Sequence, residues 1–101
     1  MISGFKQIVW TDHAKEELDL TLKYLEDNFS EREICRLVTN IESTLSILSR
    51  NPQAFPASGQ RDDVRRAIIL GLNSLYYRVA KDQIEILSFF SNRQDPGRNK
   101  Y

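Results

Sequence analysis

From Ala14 onward the chain places an apolar residue at every third or fourth position. Ala14, Leu18, Leu22, Leu25 and Phe29 therefore fall along one side of a helix. Thr11 precedes that run and suits the N-cap, whose side-chain oxygen accepts from a backbone N–H of the first turn. Asp12, Glu16 and Glu17 put negative charge near the positive end of the helix dipole. Leu20 and Tyr24 stand four apart and off the stripe, so they either widen the buried face or form a separate exposed patch. A second helical run begins almost at once. Ser30-Glu31-Arg32-Glu33 has the spacing of a capping box, and Ile34, Leu37, Val38, Ile41, Leu45 and Leu48 trace one face behind it. Asn51-Pro52 ends the run, because proline disfavours α geometry in the residue before it. So short a joint predicts an antiparallel helical hairpin.

Residues 50–63 contain Pro52, Pro56 and Gly59 and read as a loop, with Phe55 as an anchor to the core. Beyond them the period changes from helical to alternating. The segments Val64–Leu70, Leu75–Ala80 and Gln83–Phe90 read as strands separated by Gly71–Ser74 and by Lys81-Asp82, lengths that fit hairpin turns. Phe5–Trp10, rich in β-formers, reads as a first strand. The order is β-α-α-β-β-β, which predicts an α+β fold with an antiparallel four-stranded sheet and an α-helical hairpin packed on one face. Strict alternation puts Ile84, Ile86 and Phe90 on one side of the last strand and Leu87 and Phe89 on the other. The second sheet face has no helix to cover it. We expect one domain over residues 1–96, with 97–101 as a flexible tail; there is no repeat and no low-complexity segment.

Composition narrows the function classes. The 101 residues carry 14 basic and 14 acidic side chains, a balance that speaks against a protein held to nucleic acid mainly by phosphate neutralisation. The distribution is uneven: residues 11–33 hold eight acids and three bases, a local charge of −5, and residues 61–101 hold eight bases and five acids, +3. Two faces of opposite sign, with different partners or merely solvated, follow from that split. A single cysteine, Cys35, in a helical pattern that reads as buried, excludes an internal disulfide and suits a reducing, cytoplasmic compartment. No signal-like or membrane-spanning stretch is present.

One histidine, His13, and one cysteine fall short of the usual zinc ligand count, so no metal and no cofactor is expected, and His13 reads as a surface or capping residue. No catalytic residue is assigned. The constellation that stands out is basic and aromatic: Arg65 and Arg66 on opposite faces of one strand, Tyr76 and Arg78 on a shared face of the next, and Arg93 after the last. Guanidinium groups beside aromatic rings clamp phosphate while bases stack, and they serve equally well in ion pairs with Asp62, Asp63, Glu85 or Asp95.

Three stretches resemble the RelE/ParE toxin family, and its ParE-like branch in particular. The entry Val9-Trp10-Thr11-Asp12-His13-Ala14 with Glu17-Leu18 and Tyr24-Leu25 is similar to the family's passage from first strand into first helix. Leu48 to Pro52 with Phe55-Pro56 resembles the end of its second helix. Val64-Arg65-Arg66, Leu75 to Val79, Ile84 to Leu87 and Arg93 to Pro96 resemble its sheet. The likeness spans about residues 6–96 and implies the toxin of a type II toxin–antitoxin pair. Its implied partners are a cognate antitoxin and DNA gyrase, or in the RelE-like alternative a ribosome carrying mRNA that the toxin cuts. A homodimer or a heterotetramer with antitoxin is compatible, as is a degenerate member that binds antitoxin alone. Strand Gln83–Phe90 is followed by no histidine, and Ser74 stands where nuclease relatives often carry arginine, which favours the gyrase branch. The positions expected to meet the target are Arg65, Arg66, Tyr76, Arg78 and Arg93; those expected to meet the antitoxin are Leu20, Tyr24, Leu87 and Phe89.

Overall fold

The computed structural model describes residues 6–59 and 61–91. Strand β1 (Gln7–Trp10) runs into helix α1 (Asp12–Asn28), which is followed by α2 (Glu31–Arg50) and by strands β2 (Arg65–Ile69), β3 (Asn73–Val79) and β4 (Gln83–Ser91). The strands form one sheet in the order β1-β4-β3-β2. Arg93 and the expected tail lie outside the described residues.

The sheet is mixed, not wholly antiparallel. β2 and β3 pair antiparallel, as do β3 and β4, but β1 lies parallel to β4 with Gln7 opposite Gln83 and Trp10 opposite Ile86. Chain direction explains the difference. α1 continues the course of β1, and α2 returns the chain to its starting end, where Lys6 N–H donates to Ser49 O at 3.0 Å. β2 therefore sets out from the same end as β1, and the third strand of the meander finishes parallel to it.

Ala14 and Leu25 of α1 and Leu37, Ile41 and Leu48 of α2 join Ala67, Ile69, Leu75, Tyr77, Ile84, Ile86 and Phe89 in the main core. Each fully buried leucine or isoleucine contributes roughly 1.5–3 kcal/mol before ordering entropy is subtracted. Phe55 packs on this core from the loop, as its position between two prolines suggested. Phe29 and Val38, expected in the buried stripes, are exposed; Phe29 is the C-cap of α1, where helical periodicity ends. Cys35 is exposed too, about two residues of helical rotation away from buried Leu37. Thr11 caps α1 as expected, accepting from Ala14 N–H at 3.2 Å. The capping box of α2 does not form: Glu33 N–H donates to the backbone oxygen of Ser30 at 3.0 Å, and the serine side chain makes no capping bond.

Two corrections concern the meander. The β2–β3 turn comes earlier than expected: Ile69 pairs with Asn73, and in the three-residue connection Leu70 (φ +56°) and Gly71 (φ +72°) both take the left-handed conformation, with Leu72 N–H donating to Ile69 O at 3.3 Å. Leucine is an unusual choice there, so residue preference starts the turn at Gly71, one residue late. β4 carries a bulge: Ser88 pairs with Tyr76 but Ile86 pairs with Tyr77, and Leu87 is the extra residue. The insertion reverses the alternation beyond it. Phe89 consequently joins Ile84 and Ile86 against the helices, while Phe90 joins Leu87 on the far face.

Candidate functional site

The far face of the sheet is less open than a missing helix layer suggests. Val64, Tyr76 and Phe90 form a second small core there, with Leu87 packed against it, and Tyr76 is only 1 % exposed. Its ring is unavailable for stacking on a ligand. Arg78, which shares that face, is committed to a carboxylate: its Nε and Nη2 lie 3.0 and 2.6 Å from Glu85 Oε1, and its Nη1 lies 3.9 Å from Asp63. Two N–H groups on one carboxylate oxygen make a strong charge-assisted contact. The Glu85 carboxyl is held below the ordinary glutamate value of 4.5 by its hydrogen bonds from Arg78 and then from Gln83. Arg66 is half-buried on the same face and makes no ion pair among the described residues. Arg65 points the other way, as alternation requires, and donates to Phe55 O at 2.6 Å. Of the described members of the expected arginine–tyrosine set, Arg66, Tyr76 and Arg78 share the far face and Arg65 does not; Arg65, Tyr76 and Arg78 are engaged in internal contacts.

Tyr77 explains part of this arrangement. Its hydroxyl donates to Pro52 O at 2.8 Å, tying the loop after α2 to the sheet. Burial raises its pKa above the ordinary 10.0, opposed by the Arg65 guanidinium. A raised folded-state value means that stability is fully present below about pH 10 and declines as pH rises through the folded value. Denaturation midpoints should thus fall above about pH 10 in the native protein, and Tyr77→Phe should remove that component while costing about 1 kcal/mol at neutral pH for the lost hydrogen bond. An identical alkaline slope in both proteins, measured in urea, would contradict it.

A second constellation, missed in the sequence, lies where α1 passes the half of β4 that β1 leaves unpaired. β1 covers β4 only as far as Ile86. Past that point Thr11 Oγ1 donates to Ile86 O at 2.9 Å, and Glu17 Oε1 accepts from Ser88 Oγ at 2.6 Å and from Phe89 N–H at 2.9 Å. His13 Nε2 lies 3.2 Å from the same oxygen, with its ring largely in solvent. The carboxylate occupies the place of a neighbouring strand and satisfies a backbone donor that would otherwise be lost. Spacing hinted only that Glu17 shares a helix side with His13; the serine lies 71 residues away. Leu20 and Tyr24, one and two turns beyond Glu17, are 58 % and 36 % exposed, and the Tyr24 ring meets Phe29 at 6.0 Å between centroids. Leu20 and Tyr24 therefore form the exposed patch, not a widened core. Leu87 is half-buried, and Phe89 at 1 % exposed belongs to the core, so a partner cannot reach its side chain. Among the described residues no group of three or more histidine, cysteine or acidic side chains could hold a metal ion.

Comparison with known proteins now bears on this architecture. Residues 8–96 match the family described as the ParE toxin of the type II toxin–antitoxin system parDE. The chain belongs to the ParE toxin family. Curated protein sequences yield no match. Among solved structures, this ParE-family chain is similar to a chain of the chromosomal ParDE system from P. aeruginosa, with a TM-score of 0.73 at 20 % identity over 88 % of this chain and 98 % of that one. It is also similar to a chain of the E. coli DinJ–YafQ toxin–antitoxin complex, with a TM-score of 0.63 at 12 % identity over 91 % and 98 %. A conserved protein from Helicobacter pylori, HP0894, aligns with a TM-score of 0.57 at 18 % identity over 87 % and 96 %. At such identities the structures establish a shared fold, and the family assignment rests on the sequence match. Among the described residues no helix of this ParE-family toxin is long and apolar enough to cross a membrane.

Proposed function

We propose that this toxin acts by binding DNA gyrase and not by cutting ribosome-bound mRNA, and that a cognate antitoxin neutralises it. The observation that carries the target reading is the fate of the far-face cluster: Tyr76 is buried and Arg78 is paired with Glu85. Cleavage by a ribose 2′-hydroxyl needs a base, an acid for the leaving oxygen and free cations at the phosphate. Among the described residues of that cluster, Arg66 does not by itself supply that set. In purified form the protein should inhibit supercoiling by gyrase and leave ribosome-bound message intact. Message cleavage with supercoiling unaffected would overturn the reading.

For the antitoxin, the supporting feature is the exposed Leu20–Tyr24 patch on α1, the helix whose Glu17 binds the β4 edge. An amphipathic segment of the antitoxin laid along α1 would bury these side chains. Leu20→Glu with Tyr24→Glu, two exposed sites, should leave thermal unfolding nearly unchanged and weaken antitoxin binding by about 30-fold or more, since an aromatic anchor such as Tyr24 carries about 2 kcal/mol or more. Titration calorimetry with the protein encoded beside the toxin measures it; unchanged affinity would place the antitoxin elsewhere.

A further inference from the structure

Helix α1 presents a stripe that the rest of the fold leaves uncovered. Glu16, Leu20, Tyr24 and Asp27 follow one another at spacings of four, four and three residues, so they line one side of the helix over about 16 Å. Leu20 is 58 % exposed and Tyr24 36 %, and the two acids at the ends of the stripe are exposed as well. Neither acid makes an ion pair among the described residues. The order along the stripe is thus acid, apolar, apolar, acid. Over its whole length α1 carries six acids and two lysines. Lys23, the lysine beside the stripe, stands four residues from Asp19 and four from Asp27, which offset its charge.

This charge restricts what can lie on the apolar pair. Nucleic acid is repelled, because its phosphates carry the same sign as the carboxylates. A second copy docked α1 to α1 would set the acids of one protomer against those of the other, and like charges across an interface cost affinity. An acidic peptide fails for the same reason. A helix with two apolar side chains a turn apart, and a lysine or arginine one turn beyond each, meets every position of the stripe. We propose that the antitoxin segment docking on α1 is a basic amphipathic helix of this pattern. The inference rests on the placement of the antitoxin at Leu20 and Tyr24, and adds the sign and spacing of its charges. Because the stripe reads alike from either end, the pattern holds for a parallel or an antiparallel helix. Burial of the apolar pair supplies affinity, while the flanking ion pairs at the rim act mainly on the association rate and its salt dependence.

Surface plasmon resonance with the protein encoded beside the toxin, run at about 0.05 M and about 0.5 M salt, tests this. Glu16→Lys with Asp27→Lys should slow association and weaken binding on the order of 100-fold at the lower salt, with most of the loss gone at the higher. Lys23→Glu should tighten binding about threefold at the lower salt. Leu20→Ser with Tyr24→Ser removes the apolar contacts without adding charge and should weaken binding at both salt concentrations. All these substitutions lie at exposed positions, and unchanged thermal unfolding checks the fold. If the serine pair weakens binding and the charge variants do not, the antitoxin docks on the patch with a segment that is not basic; the inference falls and the placement stands. Tighter binding by the lysine pair would mean an acidic segment and overturn the inference too. No effect of the serine pair would remove the placement itself, and the inference with it. Self-association of the toxin alone, abolished by the serine pair, would assign the stripe to a second copy and likewise overturn it.

Discussion

Phe89→Ala should bring the domain close to unfolding, costing about 3–5 kcal/mol for a large side chain removed from a rigid core, against a total stability of about 5–15 kcal/mol. Leu87→Ala, two positions earlier, should cost only about 1 kcal/mol, because its side chain is half-buried on the other face. The contrast follows from the bulge. Without it the two side chains would share a face and the two substitutions would be comparable. Urea titrations at constant m-value separate the cases; equal losses would mean that β4 runs without the inserted residue.

The second large effect is expected at Glu17. Glu17→Ala should destabilise the toxin by about 3 kcal/mol, since it leaves the Phe89 N–H and the Ser88 hydroxyl without their acceptor in a largely buried position. Glu17→Gln keeps an oxygen in place and should cost about 1 kcal/mol, the difference between a charge-assisted and a neutral hydrogen bond. His13→Ala removes only an exposed neighbour and should change stability little. Amide exchange at Phe89 reads the local consequence: its protection should fall in Glu17→Ala and remain in His13→Ala. Uniform loss in both variants, or in neither, would show that the carboxylate does not close the strand edge.

These two sites also mark the boundary of what periodicity can reveal. Helical spacing located α1 and α2, and Thr11 and Pro52 marked their ends, because capping and proline sterics act within a few residues. Alternation located the meander, and the family resemblance agrees with the match over residues 8–96. Local pattern failed where a long-range partner decides. The parallel pairing of β1 with β4 depends on which end of the sheet α2 returns to. The commitment of Arg78 to Glu85 depends on their being cross-strand partners, although both residues were visible as candidates. Leu70 adopts a left-handed turn that no preference table assigns to leucine.

Among the proposed contact positions, Leu20 and Tyr24 remain accessible, whereas Phe89 and Tyr76 are enclosed. For the tyrosine, two-residue alternation put it on one face with Arg78, yet it could not say that Val64 and Phe90 would pack beside it. Element order, helix ends and the acidic first helix were determined by short-range sterics, hydrogen bonding and charge, all written in consecutive residues. Strand direction, the bulge at Leu87 and the Glu17 bridge were decided only when distant segments met, because each depends on atoms that the chain brings together over tens of residues.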